Sequence, residues 1–458
     1  MSSTSLKINI SKYLFNIFLV FYFSLLYLLQ YYYILSFFGI IIFILTFFIF
    51  YILKRYHHSL CLLLLFSPIV NFGVNIYTFK ILNVNVFYIL LILLFLKNIA
   101  LIKKINSKYI FIITLLLLFL IYSLKNILEF KEFFQDTILL FSPFMLYICF
   151  RKKFSNNDLI YIFIILSYVK LLTTFLMYYF SITLSNDTNM FNRLVVDNSD
   201  EIGLLLKTLI LSIFLFTNNI KFRILSFILI SLNILGTYQY GPQFIGLGSL
   251  SILFITFVII IFIINKVLTH NYKFILTSLL LLIPFLIKPS NESINYKMNN
   301  ILELSHFLFS NYTIYALPNS AQIRVIEILN IINEPTNLIV GTGLGGYFVD
   351  DKYPFPPWTN KFDFSEKELY TGKFFKPHNI NYNLLKYGIL FISVLFYLFL
   401  YRNSFKNLSH KILYLNLLLF IGFNFGAGIK AALCLGILFI VLSNKNSNEI
   451  FILKNSCV

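Results

Sequence analysis

A few residues in this chain have side chains and spacings suited to chemistry. His378 stands in the run Lys376-Pro377-His378-Asn379, and an imidazole can take a proton from a hydroxyl near neutral pH. The competing reading is a capping or interfacial histidine, with Asn379 as the cap of the helix that follows. Upstream, Asn319-Ser320-Ala321-Gln322-Ile323-Arg324-Val325-Ile326-Glu327-Ile328-Leu329 predicts an amphipathic helix started by Asn319 or Ser320. Ile323, Ile326 and Leu329 share its apolar face. Arg324 projects from the polar side, either as an anion ligand or as half of an i,i+3 pair with Glu327. A second arginine, Arg193, lies in Asn192-Arg193-Leu194-Val195-Val196-Asp197-Asn198-Ser199-Asp200. Its paired, fixed donors suit a diphosphate; the alternative is pairing with Asp197 or Asp200.

Between these sits Gly341-Thr342-Gly343-Leu344-Gly345-Gly346, four glycines in six residues of a glycine-poor chain. The letters match G-x-G-x-x-G, but a dinucleotide site needs a strand before it and a helix after it in a βαβ unit. No such unit is present, so the nucleotide reading is rejected. Gly341, Gly343 and Gly345 then predict tight turns, or main-chain N–H groups turned toward an anion. Asp350-Asp351 reads as a turn starter, since nothing nearby completes a metal set. No metal and no cofactor are expected.

The elements that position these residues follow from composition. The 458 residues are 59% hydrophobic and 12% charged, with a mean hydropathy of +0.84. Soluble domains are roughly 45–50% apolar and about 25% charged, so this chain reads as an all-α polytopic membrane protein. Runs long enough for a hydrocarbon core of ~30 Å give about fourteen transmembrane helices. They fall at 11–30, 33–53, 59–77, 84–102, 108–124, 137–150, 159–181, 201–217, 224–238, 243–265, 272–288, 380–401, 412–425 and 429–443. Residues 1–288 thus hold helices one to eleven, 289–379 form one large loop, and 380–458 hold helices twelve to fourteen and a tail. Four cysteines without paired or metal-type spacing carry no redox message.

The net charge of +18 admits a nucleic-acid protein until it is sorted by membrane side. With the N-terminus cytoplasmic, basic residues collect in one set of loops, and all acids but Asp158 and Glu449 in the other. That is the positive-inside pattern. It puts both termini in the cytoplasm, replaces nucleic acid with membrane lipid as the partner of the basic loops, and leaves Arg193 and Arg324 as cations on the acidic side. Nine of the acids lie in 289–379, and a loop that long between spans is usually functional. It is expected to pack on the helices rather than form its own core. Lys170 lies near the middle of helix seven and Lys207 about two turns into helix eight. Intramembrane lysines face a wet cavity or a partner.

The order of these pieces resembles the O-antigen polymerase and ligase superfamily of bacterial inner-membrane glycosyltransferases. The resemblance spans the whole architecture. It is sharpest from Arg324 through Gly341–Gly345 and Pro377-His378-Asn379 to Gly388, with Arg193…Asp197-Asn198…Gly203 similar to the family's earlier arginine loop. Where many relatives carry Ser-Arg after the ninth helix, this chain has Tyr238-Gln239-Tyr240-Gly241-Pro242-Gln243.

The resemblance implies a GT-C-like enzyme that needs no metal and takes an undecaprenyl-diphosphate-linked oligosaccharide as substrate. Arg193 and Arg324 would hold the diphosphate, with Lys207, Lys170 and Asn379 as further substrate contacts. His378 would activate the acceptor hydroxyl. The expected activity is polymerisation of surface-polysaccharide repeats at the periplasmic face, with a chain-length regulator protein as a partner. The alternatives are a ligase passing glycan to lipid A–core or protein, and, from another class, a lipid-linked oligosaccharide flippase. A flippase would show internally repeated halves, and none are legible.

Overall fold

The computed structural model describes residues 15–26, 28, 36–65, 80–81, 84–99, 102–105, 107–151, 153–179, 201–217, 219–240, 314, 317, 319–357, 359, 364–378, 380–401, 405, 407–424, 429–444 and 451–453. They are overwhelmingly helical. In chain order the helices are α1 (Phe15–Leu26), α2 (Ser36–Ile52), α3 (Tyr56–Leu65), α4 (Val86–Ile99), α5 (Ser107–Ser123), α6 (Phe130–Phe150), α7 (Asn156–Tyr179), α8 (Glu201–Phe216) and α9 (Ile220–Tyr240). Then come α10 (Asn319–Ile332), α11 (Pro335–Val340), α12 (Glu366–Thr371), α13 (Ile380–Tyr387), α14 (Ile389–Leu400), α15 (Leu408–Asn424) and α16 (Ile429–Ser443). The described residues also hold two short antiparallel pairs, Lys80–Ile81 with Val84–Asn85 and Ile102–Ile105 with Phe451–Leu453.

Among the described residues, two helices are long and apolar enough to cross a membrane: α6, and α7 over Asn156–Leu176. A third crossing is available if α13 and α14 count together. These are the helices of a membrane protein. Spans expected at 243–265 and 272–288 lie outside the described residues. The span expected at 137–150 begins earlier, at Phe130, so Glu132 occupies the first turn of α6, where a carboxylate meets the positive end of the helix dipole. α7 starts at a reciprocal cap. Ser155 donates its N–H and hydroxyl to Asp158, whose own N–H returns to the Ser155 oxygen.

The twelfth span is not one helix. The chain bends by 110° between α13 and α14, at Gly388 with φ +60°. A Cβ there would collide with the carbonyl of Ile339, so the bend needs glycine. The two halves differ in character. α13 buries Asn381, Tyr382, Asn383, Leu385 and Lys386, whereas α14 exposes Ile389, Leu390, Ile392, Val394, Phe396, Tyr397 and Leu400. An apolar helix exposed on most sides is lipid-facing, so only α14 has the surface of a membrane segment.

The chain divides into two compact units: unit 1, Met1–Val86 with Lys153–Pro289, and unit 2, Phe87–Lys152 with Ser290–Val458. Unit 1 packs α2 on α3, α3 on α7, and α7, α8 and α9 on one another. Unit 2 is built on α6 against α16, with Phe439 tilted against Phe144 at 5.5 Å and edge-on to Tyr147 at 6.5 Å. The described part of the large loop belongs to unit 2. Its Ile323, Ile331, Phe348, Phe364 and Phe374 form a small core together with Leu385 of α13, so the loop is packed on a helix of its unit. Four of its phenylalanines (Phe348, Phe355, Phe364 and Phe374) interlock, with centroids as close as 4.7 Å. Aromatic rings supply enough apolar area that few residues suffice.

Candidate functional site

All of the geometry that follows lies within unit 2. α10 forms where the apolar period predicts, and its buried face holds Gln322, Ile323, Ile326, Glu327, Asn330 and Ile331. Glu327 is therefore a core-facing residue, wholly buried, and not the surface partner of Arg324 that an i,i+3 spacing suggests. Its carboxylate receives His378. The His378 N–H donates to both oxygens at 3.0 and 3.1 Å, and His378 Nδ1 lies 2.6 Å from Oε1. Asn381 donates from Nδ2 to Glu327 Oε2 at 2.8 Å and to the Arg324 carbonyl at 2.9 Å, pinning α13 across α10.

Because a carboxylate accepts, this contact assigns Nδ1 as the donor nitrogen, the tautomer that leaves the lone pair of the ring on Nε2. The His378 ring rests edge-on against Phe364 at 5.8 Å, and its side chain is 30% exposed. A buried acid that orients a solvent-reachable imidazole is the arrangement of a general base with its positioning carboxylate. Arg324 lies one turn before Glu327 on the same helix, exposed on its outer side.

A second buried constellation locks the base of this site. Asp136 on α6 pairs with Lys386 at 2.8 Å, both side chains almost fully buried. Asp136 also accepts from the Tyr382 hydroxyl at 2.5 Å and the Gly345 N–H at 2.8 Å, while Lys386 donates to the Gly346 carbonyl at 2.6 Å. A buried ion pair is tolerable only when further hydrogen bonds support it, and here Tyr382, Gly345 and Gly346 supply three.

The glycine turn is the third member of that lock. Gly341, Gly343 and Gly345 have φ of +79°, +85° and +70°, as tight turns require. At Gly341 a Cβ would also strike the main chain of Lys386. Of the two readings of the glycines, the tight turn is the one seen: five consecutive N–H groups are used internally, one of them on the Asp136 carboxylate. Thr342 donates to the Leu385 carbonyl, Gly343 to that of Lys386, and Gly346 to that of Gly343. Leu344 donates to Ser123 Oγ and Gly345 to Asp136. In return Asn126 Nδ2 donates to the carbonyls of Thr342 and Leu344, and the Tyr122 hydroxyl to that of Gly341. The turn is a buried clasp between α5, α6 and α13.

A charged seam borders it. Glu129 accepts from Lys367 at 3.0 Å and Lys373 at 3.2 Å, and Lys376 donates to Gln135 at 2.6 Å. The hydrogen bond from Lys367 foremost, with Lys373 adding to it against partial burial, holds the Glu129 carboxyl below the usual carboxylate range. Glu368 closes a capping box with Ser365 and accepts the N–H groups of Phe375 and Lys376, fixing the approach to His378.

Of the residues singled out from sequence, His378, Arg324, Gly341, Gly343 and Gly345 lie in unit 2. His378 and Arg324 are linked through Glu327 and Asn381, while the glycine turn bonds to Lys386, Ser123 and Asp136. Lys170 on α7 and Lys207 on α8 are half-buried on packed helices of unit 1, and neither is without a partner. Arg193 and Asn379 lie outside the described residues. Glu327, Asp136, Tyr382 and Lys386 were missed. Lys386 carried a readable signal, since it fell inside an expected span, as Lys170 does. Among the described residues no three His, Cys, Asp or Glu side chains gather to hold a metal ion. Comparison with protein-family models, with curated proteins and with solved structures finds no match.

Proposed function

We propose that the chain is a polymerase of lipid-linked polysaccharide repeats, working at the outer face of a bacterial cytoplasmic membrane. The observation that carries the reading is the pairing of exposed His378 with buried Glu327. In the proposed reaction His378 Nε2 takes the proton of an acceptor sugar hydroxyl as its oxygen attacks the anomeric carbon of the donor glycan. The bond from that carbon to the diphosphate breaks, and the undecaprenyl diphosphate leaves with the electron pair.

Arg324, on the exposed side of α10, neutralises the leaving diphosphate. Electrostatic stabilisation of that charge is the largest service such a site can give. The fourteen-span topology, with both termini cytoplasmic and residues 289–379 outside, belongs to the same proposal. It is supported by the sorting of charges and by the joining of the two outer segments, 122–136 and 341–386, at the clasp. A strain lacking the gene tests the reading: it is expected to accumulate glycan caps of a single repeat. Accumulation of full-length polymer on the carrier lipid would instead assign ligation, and untransported repeats a flippase.

A further inference from the structure

The end of α2 in unit 1 carries a feature that the His378 chemistry does not use. α2 stops in paired turns, with the Arg55 N–H on the Phe50 carbonyl at 2.8 Å and the Lys54 N–H on that of Tyr51 at 3.2 Å. This closure puts its C′ residue in the left-handed region, where glycine or asparagine is the usual occupant. Here the occupant is Lys54, at φ +58°, alone among the described non-glycine residues in having a positive φ. A strained position kept by a lysine, where glycine would be easier, points to use of the side chain.

The surroundings indicate the use. Ile49 and Ile52 of α2 and Leu53 just after it are exposed, at 54%, 68% and 63%. Lys54 and Arg55 follow, both exposed. Behind them Tyr51 and Tyr56 meet edge to face at 5.4 Å. Lys153 lies over both rings, at 4.7 and 4.3 Å, and donates to the Tyr51 hydroxyl at 3.0 Å. Three cations thus share one end of the unit. Asp158, the acid next along the chain from Lys153, is taken up by Ser155. An apolar stripe that ends in a cluster of cations complements a molecule with apolar tails and an anionic head.

We propose that the Lys54–Arg55 turn, backed by Lys153, binds the phosphate head of an anionic diacyl phospholipid, with its acyl chains along Ile49, Ile52 and Leu53. A zwitterionic lipid fits poorly, since it brings an ammonium into a cluster of cations. The site is independent of the glycan chemistry and needs no turnover to be observed.

The test is native mass spectrometry of the purified full-length chain with phosphatidylglycerol or phosphatidylcholine of identical acyl chains. Phosphatidylglycerol should be retained roughly tenfold or more over phosphatidylcholine, and the preference should vanish in K54Q/R55Q. Lys54→Gly separates binding from folding: removing the strain keeps the melting temperature at or above wild type, while retention of phosphatidylglycerol falls. Equal retention of the two lipids, or undiminished preference in both variants, overturns the proposal. So does displacement of the lipid by soluble glycerol 3-phosphate, which would make the site one for free phosphate.

Discussion

The buried pair between Asp136 and Lys386 allows a quantitative test of how unit 2 holds its site. Asp136→Asn leaves the Lys386 ammonium fully buried, with the Gly346 carbonyl still accepting from it. Lys386→Met leaves the Asp136 carboxylate with two neutral donors, Tyr382 and Gly345. Stranding one charge of a buried pair typically costs ~3–5 kcal/mol. At about 2–4 °C per kcal/mol for a unit of this size, each single variant should melt roughly 6–20 °C lower. The double variant removes both charges. Tyr382 and Gly345 bond different oxygens of Asp136, so the introduced amide can turn its oxygen to the Gly345 N–H and its NH2 to the Tyr382 hydroxyl oxygen. The methionine side chain fills the space of the lysine stem, so much of the loss should be recovered. The assay is the fraction of detergent-purified protein that stays monodisperse after graded heating. Single variants that melt with the wild type would refute the argument, as would a double variant no better than the worse single one. Either result would mean that the clasp is held by packing rather than by charge.

Three further outcomes are expected. Glu327→Gln preserves shape but offers Nδ1 an amide donor, which favours the tautomer with its proton on Nε2. Glycan elongation should fall about 10²–10⁴-fold with membrane abundance unchanged, and an undiminished rate would contradict the positioning role. Gly341→Ala forces a left-handed φ at about 1–3 kcal/mol and drives a Cβ into the Lys386 main chain; yield of folded protein after extraction should collapse, and a wild-type yield would show the clasp to be dispensable. The third outcome concerns pH. Because the folded-state value of Glu129 is depressed, its contribution is complete above the unfolded value of about 4.3 and is lost as pH falls through the depressed one. Hydrogen-exchange protection of residues 364–375, corrected for intrinsic rate, should be level from about pH 5 to 8 and drop only below about pH 4. A drop centred near neutrality would assign the seam to another group.

The helical, lipid-compatible character of the chain was legible because hydropathy and charge sorting act over whole segments. Single residues were legible only where their type was out of place. His378, Arg324 and the glycine run stood out as rare residues in a chain of Phe, Leu, Ile and Asn, and all of them lie in unit 2. Glu327 did not stand out. Its spacing from Arg324 offers a local partner, and only the packing of α13 across α10 turns it inward to His378. Asp136 was assigned to a loop because the apolar run starts after it, although helix propagation carries α6 back to Phe130. The bend at Gly388 was hidden for the converse reason: residues 380–401 are apolar enough to read as one span, while the break depends on the close approach of Ile339. Hydropathy reports a segment's affinity for lipid, not its direction.

The central claim is that His378, oriented by Glu327, is the base of a glycan-extending site. The direct measurement uses purified chain with an undecaprenyl-diphosphate-linked repeat as the sole added substrate, and products resolved by length on a gel. Wild-type protein is predicted to yield a ladder of repeats, and His378→Ala at equal folded concentration to yield none. A ladder from His378→Ala, or its absence from active, lipid-reconstituted wild type, would contradict the account.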